Sequence, residues 1–201
     1  MKKILITIGL AALVSSSQAQ GLINFLNSST TLVTLSNGVV NLGSTPAGVP
    51  GTFRYELFVA PAGTLTPGSF VTTGLIATNL TTAGRLNGGN NLATPGVPLG
   101  STRAILIRGW SANLGANYAT ALASYLADVG GYLGQSAIAP NFLFGGDPGT
   151  GNVPSSPAFG AAAYQITSGF ALVYAPVPEP TSMALAGIGA AAMVIFRRRN
   201  K

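Results

Sequence analysis

The sequence predicts a mainly β protein: an antiparallel β-sandwich of about seven or eight short strands with one short helix, between an N-terminal signal helix and a C-terminal transmembrane helix. Three observations carry this. Between residues 20 and 176 the apolar residues come in short runs separated by Gly, Pro, Asn and Ser, the texture of strands and tight turns. One stretch, from Asn117 to Val129, departs from that texture with helical spacing. Apolar segments without acidic residues close off both ends of the chain.

The N-terminal end reads as a secretion signal. Met1-Lys2-Lys3 is positively charged, residues 4–14 are apolar apart from Thr7, and Ser17 and Ala19 place small residues before a cut between Ala19 and Gln20. An apolar run this short falls below the roughly 20 residues of a comfortable membrane span.

Residues 21–26 and 31–35 have strand composition, and Ser36-Asn37-Gly38 reads as the turn of a hairpin that continues into 39–42. Residues 53–59 alternate, with Phe53, Tyr55, Leu57 and Val59 on one face and Arg54, Glu56 and Phe58 on the other. A further strand is expected over 69–77, and residues 84–91 read as a strand end followed by a loop. Residues 102–110 are the clearest strand: Arg103, Ile105, Ile107 and Gly109 share one face, and Ala104, Leu106, Arg108 and Trp110 the other. The helix expected over 117–129 carries Tyr118, Leu122, Tyr125, Leu126 and Val129 at helical spacing, with Gly130-Gly131 behind it. Strands over 163–166 and 169–174 complete the set.

Past residue 176 the character changes. Val177-Pro178-Glu179-Pro180 stays extended, because proline on either side of the glutamate forbids a helix. Residues 183–196 are apolar and uncharged, and Arg197-Arg198-Arg199 follows at once. As a helix, 181–196 measures about 24 Å against a hydrocarbon layer of about 30 Å. Snorkelling arginines and local thinning make up the difference. The arginines place the C-terminus in the cytoplasm by the positive-inside bias, and a cleaved leader places the middle of the chain outside, so the two ends agree.

A Pro-Glu-Pro tripeptide, a short apolar helix and a terminal Arg cluster, on a chain with an N-terminal signal, resemble the PEP-CTERM sorting signal of Gram-negative bacteria. The resemblance implies recognition of the tail by exosortase, a membrane-embedded cysteine transpeptidase-like enzyme, and an association with exopolysaccharide and biofilm matrix. It covers about the last 25 residues. A looser similarity to other small exported proteins of this kind lies in residues 55–61 and 107–110, and implies no activity. The organisation expected is therefore a signal peptide at 1–19, an exported domain at 20–176 and a sorting tail at 177–201. The expected partners are Sec-type export machinery, signal peptidase, exosortase, the inner membrane during transit, and exopolysaccharide.

The charge balance fits that organisation. The chain has 10 Lys+Arg against 4 Asp+Glu, a net +6, which taken alone suggests nucleic acid. But Lys2, Lys3, Arg197, Arg198, Arg199 and Lys201 sit at the two ends, leaving Arg54, Arg85, Arg103 and Arg108 against Glu56, Asp128, Asp147 and Glu179. Four against four leaves no basic face for a phosphate backbone. With no Cys and no His in the chain, zinc sites of the usual kind, thiol nucleophiles and Ser-His or Cys-His pairs are excluded. An exported domain without disulfides needs an adequate core.

Little else points to chemistry, and neither an enzyme activity nor a cofactor or metal is expected. Glu56, Asp128 and Asp147 allow a two-carboxylate hydrolase only arithmetically, since no local motif brings two together. Glu56 alternates with Arg54 and is expected to form an exposed ion pair with it. Residues 145–152 lack the Lys of a phosphate loop, offer one carboxylate, Asp147, plus Asn152 where a calcium loop collects several charged oxygens, and read as a Gly-rich turn. Trp110 and Tyr132, with Tyr118 and Tyr125 nearby in sequence, are weighed as a sugar-stacking platform against plain core packing.

Overall fold

The computed structural model describes residues 20–45, 49–146 and 154–175. Eleven strands and one α-helix follow in chain order: β1 Gln20–Leu26, β2 Thr34–Ser36, β3 Asn41–Ser44, β4 Phe53–Pro61, β5 Val71–Asn79, β6 Leu86–Pro98, β7 Thr102–Ser111, α1 Tyr118–Leu126, β8 Gly131–Gln135, β9 Ala139–Leu143, β10 Ser156–Pro157 and β11 Ala171–Ala175. The mainly β class and the helix are as expected from the sequence.

The sandwich is not. All eleven strands belong to one hydrogen-bonded sheet, in the order β10-β1-β6-β5-β4-β7-β8-β11-β2-β3, with β9 also pairing with β7. Most neighbours are antiparallel, but β1 runs parallel to β10 and β11 parallel to β2. The open sheet curls on itself. Leu22 of β1 exchanges two backbone hydrogen bonds, 2.8 and 2.9 Å, with Gly145 just beyond β9. Asn27 adds a buried clip: its side-chain amide donates to the carbonyls of Thr31 and Gly84, and its oxygen accepts the N–H of Leu86. A curled sheet buries its inner face as two stacked sheets would, so strand composition alone does not distinguish them.

The long central strands match the sequence reading closely. β4 and β7 pair without a break from Phe53↔Ser111 to Pro61↔Arg103. Phe53, Tyr55, Leu57 and Val59 face inward with Ile105 and Ile107, joining Ile23 and Phe25 of β1, Leu172 of β11, Phe142 and Phe144 in one core. Gly109 admits that packing, since a Cβ there would stand 2.7 Å from the Tyr55 ring. The hairpin expected at Asn37-Gly38 joins β2 to β3, with Asn37 Oδ1 accepting the N–H groups of Val39 and Val40.

The strands are also more numerous than the seven or eight expected, with β8, β9 and β10 in stretches read without strands, and further stretches differ. Residues 84–91 are not mainly loop: β6 begins at Leu86 and is the longest strand, 13 residues, despite its Gly and Asn content. Gly88 is needed there because a Cβ would meet the Phe25 ring at 2.9 Å, and register shifts along β1–β6 absorb the irregularity. Residues 163–166 form a turn with a single bridge, Phe159↔Ile166, rather than a strand. α1 stops at Leu126, short of Val129, and the chain turns away through Asp128 at φ 54°. Leu126 and Val129 consequently point to solvent, and Ala121 is the helix residue that is fully buried.

Candidate functional site

The outer face of β4–β7 is also covered, and the cover is incomplete. Phe58, Ala60, Ala104 and Leu106 pack there with Phe70, and Trp110 packs with Leu114 and Ala121; Tyr118 touches both groups. Between α1 and the start of β5 an open cleft of about 720 Å³ remains, walled by Phe58, Phe70, Val71, Tyr118 and Leu122, with Glu56, Thr72 and Arg108 among the polar groups lining it.

Glu56 and Arg108 are register partners on β4 and β7 and so share this face. Glu56 is only 4% exposed, which overturns the expected exposed ion pair with Arg54. Arg54 instead donates to the Ala116 carbonyl at 3.1 Å. One Glu56 oxygen accepts the Thr72 hydroxyl and the other accepts the Tyr118 N–H at 3.1 Å. Tyr118 is the first residue of α1, so the carboxylate meets the positive end of the helix dipole. Asn117 caps the same end, its Oδ1 accepting the Thr120 N–H at 2.9 Å.

Arg108 is held by ring faces. Its guanidinium carbon lies 4.5 Å from the Phe58 centroid and 4.7 Å from that of Tyr118, within cation–π range. Nη2 donates to the Pro67 carbonyl at 2.8 Å. Burial pushes the Tyr118 phenol pKa upward, and the Arg108 charge opposes part of that rise.

This arrangement holds one acid and one base in an apolar cleft. Among the described residues it does not assemble two carboxylates. Asp128 is exposed just past the far end of α1, a helix that runs about 12 Å from Tyr118 to Leu126 at 1.5 Å per residue, beyond the spacing a glycosidase dyad uses. Asp147 and Asn152 lie outside the described residues. Among the described residues no group of three or more acidic, Cys or His side chains converges as a metal site.

Of the two readings weighed for Trp110 and Tyr132, packing describes both better than a stacking platform. Trp110 is fully buried and its indole N–H donates to the Gly115 carbonyl at 2.9 Å, so its faces are spent on the outer-face cluster. Tyr132 is half-buried against the inner core instead, edge-on to Phe53 at 6.2 Å and tilted against Tyr174 at 5.1 Å. Trp110 and Tyr132 therefore belong to opposite sides of the sheet. The sequence reading missed the Glu56–Arg108 pairing. Its one available signal was the mixed face of residues 54, 56 and 58, where an aromatic sits among charges.

Gln20, on the far side of the expected leader cut from Ala19, opens β1 and is exposed; Ala19 lies outside the described residues. So do Pro178, Glu179, Pro180, Arg197, Arg198, Arg199 and the apolar segment 181–196. Among the described residues no helix is long and apolar enough to cross a membrane. Comparison with known families matches residues 176–199 to the PEP-CTERM protein-sorting motif, a span that contains the Pro-Glu-Pro tripeptide and the three arginines. Comparisons with curated proteins and with solved structures find no match. The chain thus carries a PEP-CTERM protein-sorting motif at its C-terminal end, which implies an exported protein whose membrane-associated sorting is the work of exosortase.

Proposed function

We propose that the protein is a non-enzymatic component of the cell surface or of the exopolysaccharide matrix. Sec-type machinery exports it and signal peptidase removes residues 1–19. The apolar segment 181–196 holds it briefly in the inner membrane until processing near Pro178-Glu179-Pro180 releases or attaches the β domain outside. The sorting motif at 176–199 carries this reading. It is supported by a domain whose central strands are packed on both faces and by a charged content of 7%, against the roughly 25% usual in soluble domains. C-terminal mass spectrometry of the extracellular protein tests it. Loss of Arg197 to Lys201 is expected, and their retention in all the extracellular material overturns the processing step.

A second reading, binding of extracellular polysaccharide, draws on Tyr174, which is 37% exposed beside Tyr132 and so presents part of an aromatic face to solvent. Glycan-array binding that disappears in Tyr174→Ala while the domain stays folded would favour it. Absence of binding by the folded protein would count against it.

A further inference from the structure

Gln20 is the first residue of β1. Behind it, Gly21 is buried and has no room for a side chain: a Cβ would stand 2.8 Å from Phe144 Cβ and 2.9 Å from the Pro98 carbonyl oxygen. Leu22 is then fixed by its two backbone bonds to Gly145. Gln20 itself is held less firmly. Its register partner is Pro98, which has no N–H to give the Gln20 carbonyl, and the register shifts between Gln20 and Leu22. The Gln20 side chain is exposed and borders a shallow pocket of about 260 Å³ with Gly96, Val97 and Pro98. Side-chain amide and backbone nitrogen therefore have space to approach each other without disturbing residues 21 onward.

We infer that Gln20 is a modification site and that the mature N-terminus is a pyroglutamyl lactam. The inference rests on the reading that signal peptidase cuts between Ala19 and Gln20. That cut frees the Gln20 α-amine, whose ordinary pKa of about 7.7–8.0 leaves a substantial unprotonated fraction near neutral pH. The amine nitrogen attacks the side-chain carbonyl carbon Cδ. The N–Cδ bond forms, the Cδ–Nε2 bond breaks, and Nε2 departs as ammonia carrying one proton from the amine. The product is a five-membered lactam, and the step needs no oxidant, metal or co-reactant. The terminus keeps an N–H donor but carries no charge, so no ammonium remains at the β1–β6 edge. It also offers no free amine to an aminopeptidase, whose progress along β1 would remove Ile23 and Phe25, both fully buried in the core.

The test uses protein collected outside the producing cells, with a synthetic peptide bearing a free N-terminal glutamine added at collection to report cyclisation during handling. Mass spectrometry is expected to find an N-terminal peptide beginning at residue 20 and lighter than its glutamine form by one ammonia. Edman degradation is expected to be blocked until pyroglutamyl aminopeptidase is applied, and then to read Gly21-Leu22-Ile23. The exported Gln20→Ala protein is expected to start at the same position and to be readable without that treatment. A free glutamine at residue 20, or a lactam fraction no greater than that of the added peptide, overturns the lactam and leaves the cleavage reading intact. A start at any other residue overturns the cleavage reading and the lactam together.

Discussion

The inner and outer faces of the β4–β7 pair are both removed from water, yet by different means. Inside, Tyr55, Leu57, Ile105 and Ile107 meet side chains from β1, β11 and the segment around β9, and the contacts are almost wholly apolar. Outside, a nine-residue helix forms the cover with Phe70, Leu114 and Ile138, and two charged residues sit beneath it. The inner face is stabilised by volume filled. The outer face depends on polar groups finding partners, because a buried carboxylate left without hydrogen bonds is costly. The same strands therefore respond to substitution in two ways, according to which side the residue points.

The largest expected effect lies inside. Leu57→Ala removes a fully buried side chain from the inner core, and should cost about 2–5 kcal/mol in urea unfolding. A loss below that of an ordinary surface substitution would mean the curled sheet collapses readily into the space. Outside, Glu56→Ala leaves the Tyr118 N–H and the Thr72 hydroxyl without their acceptor. A cost of about 1–3 kcal/mol is expected, with α1 losing hydrogen-exchange protection before the sheet does. Uniform loss across sheet and helix would erase the distinction between the faces. Asn117→Ala removes the cap of α1 and should cost about 1 kcal/mol, again seen first at the helix.

Alkaline pH separates the faces with little effect near neutrality. Burial raises the phenol pKa of Tyr55 on the inner face, with a smaller opposing contribution from Thr45, and raises that of Tyr118 on the outer face. A phenol whose folded pKa lies above its unfolded value stabilises fully below the unfolded pKa of about 10 and loses that contribution as pH climbs from there toward the folded value. The urea midpoint should thus fall above pH of about 10, and Tyr55→Phe should flatten that fall more than Tyr118→Phe. An equal response from the two variants would show that α1 shields its face as well as the core is shielded.

Much of the fold can be seen in the residues. The alternation in β4 and β7 assigned every residue to its correct face, and Asn37-Gly38 placed the β2–β3 hairpin. β6 was hidden because Gly and Asn are poor strand formers on average, whereas here Gly88 answers to a local requirement, the approach of Phe25. The site was less visible. Glu56 and Arg108 lie 52 positions apart, and their pairing follows from the β4–β7 register, which no local pattern specifies. The exposed ion pair with Arg54 was the natural reading of a single strand considered without its cover.

Residues alone carry the C-terminal sorting motif, because such a signal is read as a linear string: Pro178-Glu179-Pro180, an apolar stretch and Arg197-Arg198-Arg199 keep their meaning wherever the domain folds. They also determine which side chains of each central strand share a face, since that depends only on a period of two. Tertiary structure decided what lies against those sides. It made one curled sheet where two stacked ones were expected, sent Trp110 and Tyr132 to opposite faces, and turned a surface glutamate into the buried acceptor beneath α1. Each of these outcomes depends on partners distant in sequence, and only the folded chain brings them into contact.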